Sequence, residues 1–455
     1  MKNKFNVHFL FLTSLLLSFV GFGQTKSPIL QKYIDEGLER NLAIRQQDLQ
    51  IEKAWKSVEI AQSQLSPSVA FAPNYTLAAG GRRLQFPVGD LLNPVYSTLN
   101  ALTQSQAFPQ IENVNEQLAP NNFHETKLTI QYPIFSNKAK YGIFINRELW
   151  KAEETTKKKL LYDLQFGIEQ AYYQYLQVTE ARQIAQVSID LVEEYIQFNQ
   201  KLVTNQVALP DVLLTLQFER NKALERRAEL EKNEQLARAY FNYLLYKPLD
   251  SPILQDSTAW TSVYLPTLPL EEYVAQALRE RLELQQLSDG ARLAQLGVEF
   301  QEKEAYLPTV FAGGNVGFQG FGYQFTNQGF AILQLGLQWD IFHGFEKKKK
   351  IAQAKIQRQL IDSKQAEAKQ QIELQVTQAY YQAFTAQKGI ETAESGKKQA
   401  EQIRSLVEKR YRNGQALFIE LQKAQTDWEV ASIQYSLKKY EASLAYLQLR
   451  KVSAY

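Results

Sequence analysis

Two hydrophobic rhythms alternate along the chain, and their order predicts the fold. Leu160, Leu164, Ile168, Ala171 and Tyr175 follow one another at steps of 4-4-3-4, and Ala368, Ile372, Val376, Ala379 and Ala383 repeat those steps. Such spacing keeps the apolar side chains on one stripe of an α-helix, a packing seam of coiled-coil type. Each stripe lies in a segment without proline, from about 138 to 204 (glycine only at Gly142 and Gly167) and from about 346 to 412 (only Gly389 and Gly396). At 1.5 Å per residue, some 67 residues of unbroken helix span roughly 100 Å, far beyond an ordinary globular helix. Four shorter helices are predicted at about 29–65, 210–247, 268–306 and 416–450. Two of them end to end match one long helix, which gives a tall antiparallel helical slab.

The second rhythm has period two. Phe330 to Trp339 reads FAILQLGLQW, with Ala331, Leu333, Leu335, Leu337 and Trp339 on one face and Gln334, Gly336 and Gln338 on the other. Leu128, Ile130, Tyr132 and Ile134 alternate with Thr129 and Gln131 in the same way, and partner strands are predicted at Val69–Leu77 and Val310–Phe318. Segments of about ten residues, apolar on one face and polar on the other, suit a transmembrane barrel strand, although a half-buried soluble sheet has the same period. Four strands cannot close on themselves in lipid, because an open sheet leaves its edge amides unsatisfied. Closure takes at least about eight strands, so several chains must share one barrel, with two, three or four protomers all geometrically open.

The two rhythms occur twice in the same order. Ala171-Tyr172-Tyr173-Gln174 returns as Ala379-Tyr380-Tyr381-Gln382, and Asn205-Gln206-Val207-Ala208-Leu209 lies over Asn413-Gly414-Gln415-Ala416-Leu417, both at an offset of 208. Upstream, Ser66-Pro67-Ser68-Val69 matches Leu307-Pro308-Thr309-Val310 at an offset of 241. The change in offset places an insertion in the first copy, at 80–123, whose Gly, Pro and Asn content reads as an extended loop. A tandem repeat follows. Residues 24–247 form the first helix–hairpin–helix unit, a proline-rich linker covers 248–267, and 268–455 form the second.

Composition narrows the setting. Lys2 and Lys4, the apolar stretch Phe9–Val20 and Gly21-Phe22-Gly23 read as a cleaved secretory leader over residues 1–23. Without any Cys there is no disulfide, thiolate metal site or lipidated N-terminus. Net charge is +3, or +1 once Lys2 and Lys4 are removed, which gives no electrostatic case for nucleic acid. Beyond the leader no apolar run reaches the roughly 18 residues of a spanning helix, so any membrane crossing must use strands.

Taken together, the leader, the repeated helix–hairpin–helix order and the helix lengths resemble the TolC family of outer-membrane efflux proteins. Its local marks are Leu307-Pro308-Thr309 and Ser66-Pro67-Ser68 leading into strands, Tyr132-Pro133-Ile134-Phe135 leaving one, and Asn413-Gly414-Gln415-Ala416-Leu417 at a helical turn. The resemblance implies an α+β membrane protein, a homotrimer whose four strands per chain build a twelve-stranded outer-membrane β-barrel above a periplasmic α-barrel. It further implies the passive exit channel of a tripartite efflux or type I secretion system, opened when a periplasmic adaptor (a membrane fusion protein) and an inner-membrane pump dock. One departure is Asp340, which stands where the first copy has Pro133 at the bend from strand to helix. The rival from another class is a periplasmic coiled-coil scaffold without a pore.

Candidate sites follow from both lines. No cofactor, metal or catalytic set is expected: His124 and His343 stand apart, and Gly313, Gly314, Gly317, Gly320 and Gly322 do not follow a phosphate-loop pattern and read as strand or hairpin-tip glycines. Leu128, Ile130, Tyr132, Leu333, Leu335, Leu337 and Trp339 are expected to face lipid. By resemblance, the turns Asn205–Leu209 and Asn413–Leu417 meet the adaptor, and the gate falls on Glu420, with Lys423 the next inward-facing position; in the first copy Val212 is the equivalent of Glu420, and Asp211 adjoins it. Three Glu420 carboxylates around an axis would form a cation-selecting ring. The plain alternative is a surface pair with Lys423, three residues on along the helix. The run Lys347–Lys350 reads as a solvated helix start.

Overall fold

The structure is a computed structural model that describes residues 27–256 and 266–454; the expected leader (1–23) and part of the expected linker (248–267) lie outside them. Its elements run α1 (Pro28–Arg40), α2 (Leu42–Ser63), β1 (Ser68–Thr76), β2 (Arg83–Phe86), α3 (Val88–Thr103), β3 (Val114–Gln117), β4 (Phe123–Phe135), α4 (Asn137–Thr204) and α5 (Asp211–Leu244). They continue with α6 (Leu270–Glu280), α7 (Leu282–Tyr306), β5 (Thr309–Phe321), β6 (Gly329–Gln338), α8 (Glu346–Arg412) and α9 (Phe418–Ser453). Both long helices are continuous, 68 residues in α4 and 67 in α8. No described helix is long and apolar enough to cross a membrane.

The single helices expected at 29–65 and 268–306 are each broken in two. Asn41 and Arg281, 240 residues apart, both leave the helix for extended backbone (φ −67, ψ 123 and φ −63, ψ 127). Asn41 does so by capping: its side-chain oxygen accepts the Ala43 amide at 2.9 Å while its side-chain nitrogen donates to the Leu244 carbonyl at 3.2 Å. Short amide side chains favour this competition with the helix ladder. Arg281 instead reaches Gln375 at 2.6 Å and Glu283 at 3.1 Å, a choice made by α8 and not by local sequence.

The described residues form two compact units, one within 27–47, 156–256, 266–285 and 366–454, the other of 48–155 and 286–365. In the first, both predicted stripes are core. Ile168, Ala171 and Tyr175 pack with Leu30, Tyr33, Ile34, Phe241 and Leu245, while Ile372, Val376, Ala379 and Ala383 pack with Tyr273, Ala277, Leu449 and Val452. Fully buried Tyr172 ties this core to the segment after α5. Its hydroxyl donates to the Leu254 carbonyl and accepts the Asp256 amide, both at 3.0 Å. Removing the hydroxyl strands two backbone groups, a cost of about 1–3 kcal/mol. Tyr172→Phe is therefore expected to lower thermal stability by that amount in a helical circular-dichroism melt. Tyr243→Phe, at an exposed position, should stay within about 0.5 kcal/mol of the parent.

The second unit holds a four-stranded sheet in the order β1-β4-β5-β6, antiparallel throughout, with β1 and β6 at its edges. The insertion at 80–123, expected as loop, is folded. β2 and β3 pair as a separate two-stranded sheet, and α3 packs on the segment that returns to β3. Gly89, Asn93, Asn100 and Asn113 serve these internal contacts, and that is why the composition alone reads as loop.

Candidate functional site

Register joins the four predicted strands into one wall. Val69, Ile130, Gly314 and Leu333 lie in a row across the sheet, followed by Phe71, Leu128, Val316 and Ala331, with Tyr132, Ala312 and Leu335 in a third. Directly opposed residues share a face, so the expected lipid-facing positions are continuous across strands, and Leu333 and Leu335 are 89% and 78% exposed. The opposite face carries the rows Ser68, Gln131, Gly313, Gln334 and Asn74, Glu125, Gln319, with Ile332, Phe311, Phe330 and the Phe123–Phe321 pair as its large apolar exceptions. Trp339 lies one residue beyond β6. Glycine enters β5 where strands crowd: a Cβ on Gly317 would sit 2.2 Å from the Thr126 carbonyl oxygen.

Aromatic rings mark both ends of the wall. At one end Tyr323 and Phe325 close over His124, whose ring is buried and stacks 4.8 Å from Tyr323. His124 Nε2 lies 2.9 Å from the Gln324 carbonyl oxygen and 2.7 Å from Gln328 Oε1. At the other end Trp339, Phe342 and Phe345 are exposed. Here the two copies differ. β4 runs through Pro133, shifts register before Phe135, and gives way to α4 at Asn137, whereas Trp339–Phe345 intervene before α8. Pro133 thus sits inside the strand at a bulge, where a missing amide is tolerated, and the bend follows it. Left-handed Gly344 and Phe345 turn the second connection. Lys347 caps it by donating to the carbonyls of Asp340 and Ala305, and Lys350 pairs with Glu346 at 2.6 Å, so neither is simply solvated.

The two helical turns are built alike. The Val207 amide donates to the Leu202 carbonyl and the Gln206 amide to Val203; 208 residues on, Gln415 donates to Arg410 and Gly414 to Tyr411. This is the Schellman closure of a helix, which requires one left-handed residue. Gly414 (φ 70) supplies it without strain, and Gln206 (φ 60) does so in the first copy. Beyond each closure stand outward-facing apolar side chains, Val207 and Leu209 at 72% exposure each and Leu417 at 68%. Asn205 and Asn413 are exposed as well, whereas Ala208 and Ala416 are half-buried.

Of the gate candidates, Asp211 and Lys423 are exposed, and Val212 packs inward against the cluster of Val192, Tyr195, Leu216 and Leu421. Glu420 is neither free nor held by Lys423. Its Oε1 accepts the Leu417 amide at 3.1 Å, capping α9, and Arg410 stands 3.9 Å from Oε2. An acidic side chain in the first turn also complements the helix dipole. Sequence reasoning missed the clasp beside it. Arg412 donates to Glu194 at 2.5 Å and to Glu408 at 2.8 Å, and the Tyr411 hydroxyl donates to fully buried Asn199. Burial pushes the Tyr411 hydroxyl up from its ordinary pKa and keeps it a donor. The run Arg410-Tyr411-Arg412 signals only a basic helix end from sequence; its partners on α4 are more than two hundred residues away.

Residues 273–454 match the family model described as outer membrane efflux protein. Among solved structures, the chain is similar over 93% of its length to the outer membrane protein VceC of Vibrio cholerae (95% of that chain, TM-score 0.71, 14% identity). It is similar over 94% of its length to the CmeC outer membrane channel of Campylobacter jejuni (85% of that chain, TM-score 0.70, 14% identity). The same share matches the open state of the MtrE outer membrane channel of Neisseria gonorrhoeae (89% of that chain, TM-score 0.70, 16% identity). No curated protein matches the chain. The C-terminal part thus matches the outer membrane efflux protein family in sequence, and the chain shares the fold of these outer membrane channels over nearly its whole length.

Proposed function

We propose that the protein is an outer-membrane efflux channel, a passive duct built from three copies of the chain, a homotrimer with a twelve-stranded barrel and a periplasmic α-barrel. The observation that carries the reading is the sheet: one face is apolar across all four strands, and both edges, β1 and β6, lack a partner strand among the described residues. In lipid such edges must be paired, and the edge of the next copy is the partner at hand. Residues 24–247 and 268–455, joined at 248–267, act as two repeats of one wall segment.

The turn ends of α4–α5 and α8–α9 are the periplasmic gate. A periplasmic adaptor, carrying the inner-membrane pump, docks on Asn205–Leu209 and Asn413–Leu417, burying the exposed Val207, Leu209 and Leu417. Asp211, Glu420 and Lys423 line the constriction with Val212 packed behind them. Arg410 beside Glu420 tempers any acidic ring, so cation selectivity is expected to be weak. Energy comes from the pump, and no cofactor is required.

The test is the mass of the purified protein in mild detergent together with single-channel conductance in a planar bilayer. A trimer-sized species that inserts and gives discrete, long-lived steps supports the duct. A monomer, or a species that never inserts, overturns it in favour of the poreless scaffold.

A further inference from the structure

Helix α3 of the insertion is inside out. Gly89, Asn93, Tyr96 and Asn100 recur at steps of 4-3-4 and face the segment returning to β3. Asn93 exchanges two hydrogen bonds with the backbone of Ile111, both 2.9 Å, and Asn100 does the same with Phe108 at 2.7 and 3.0 Å. Gly89 lets the Ile111 carbonyl approach to where a Cβ would lie only 2.4 Å from it. The opposite stripe, Leu91, Val95, Thr98 and Leu102, repeats the same 4-3-4 steps, yet Leu91 and Leu102 are 63% and 75% exposed. A helix that commits its amide face to its own fold and turns its leucines outward has an apolar stripe still to bury.

We propose that this stripe packs against the same stripe of the neighbouring copies, so that three insertions close over the extracellular mouth of the barrel. The proposal rests on the trimeric reading above. The insertion leaves β1 at Thr76 and rejoins β4 at Phe123, the end of the sheet opposite to the one where β4 enters α4. Its base is pinned there, with the Ala78 amide on Asn121 at 3.0 Å and Gln117 on the Ala78 carbonyl at 3.2 Å. Because β1 is a free edge, each insertion rises beside a seam between copies. Twelve strands at about 4.8 Å spacing and roughly 40° tilt close at a diameter of about 24 Å. The 16 residues of α3 are themselves about 24 Å long, so helices rising from three seams meet over a mouth of that width.

Charge selects the occupant. Val88 to Ile111 carries a single charge, Asp90. A helix that lies on an anionic lipid surface carries Lys and Arg along its polar face, and α3 has neither. Uncharged stripes do not repel their copies.

The chain has no cysteine, which makes the test clean. Leu91→Cys, Val95→Cys and Leu102→Cys are introduced singly in the full chain, and the detergent-purified protein is oxidised mildly. Disulfide-linked dimers are expected from at least one stripe position, at about ten times the yield of Thr103→Cys, which lies roughly 100° around the helix from Leu102. A trimer of normal mass with no cross-link at any stripe position overturns this proposal while leaving the trimeric duct intact. Loss of the trimer in the parent protein fails both. An environment-sensitive dye on Leu102→Cys that is quenched by a lipid-borne quencher places the stripe in the membrane and also overturns the cap.

Discussion

Leu333→Arg should nearly abolish the proposed outer-membrane trimer, while Gln334→Arg, one residue along, should leave it assembled. Leu333 is the most exposed apolar side chain of β6 and sits in the row of Val69, Ile130 and Gly314. A charge on the lipid face near the midplane costs about 2–4 kcal/mol, and a trimer carries that cost three times. Gln334 lies in the row of Ser68, Gln131 and Gly313, where a cation meets polar neighbours and water. The readout is the amount of detergent-resistant trimer recovered from outer membranes, with total protein as the reference. Equal loss in both variants would mean that the apolar face is not the lipid face. Loss from Gln334→Arg alone would turn the wall around.

The contrast between these neighbours was legible in the sequence because the period of a strand is fixed by the backbone. The same holds for the stripe through Ile168, Ala171 and Tyr175, which became core as the helical period requires, and for Gly414, where a left-handed residue ends the helix. What could not be read depends on partners distant in the chain. Arg281 breaks its helix for Gln375, and Glu420 finds Arg410 across the turn instead of Lys423 on its own face. The insertion failed for a different reason. Asn93 and Asn100, which mark loops in isolation, hold α3 together by pairing with a backbone segment that composition does not reveal.

Combining Tyr411→Phe with Arg412→Ala is expected to open the duct without a pump. Tyr411 and Arg412 end α8 and grip α4 through Asn199 and Glu194. The two ties differ in strength. Arg412 and Glu194 are half exposed, so their pair contributes no more than about 1 kcal/mol and weakens with salt. The Tyr411 hydrogen bond is the stronger one, because its loss leaves the buried Asn199 oxygen unsatisfied at about 1–3 kcal/mol. Each 1.4 kcal/mol is tenfold in an equilibrium, so the double variant should raise the open fraction in a planar bilayer by about tenfold or more. Glu420→Ala removes only the cap of α9 and the contact with Arg410. It leaves the tie to α4 in place, and its conductance should stay close to the parent. If the double variant assembles as a trimer and conducts like the parent, the clasp is packing and not a gate, and the closure must lie elsewhere. If Glu420→Ala opens the channel instead, the cap of α9 holds the constriction and the α4 contacts follow it.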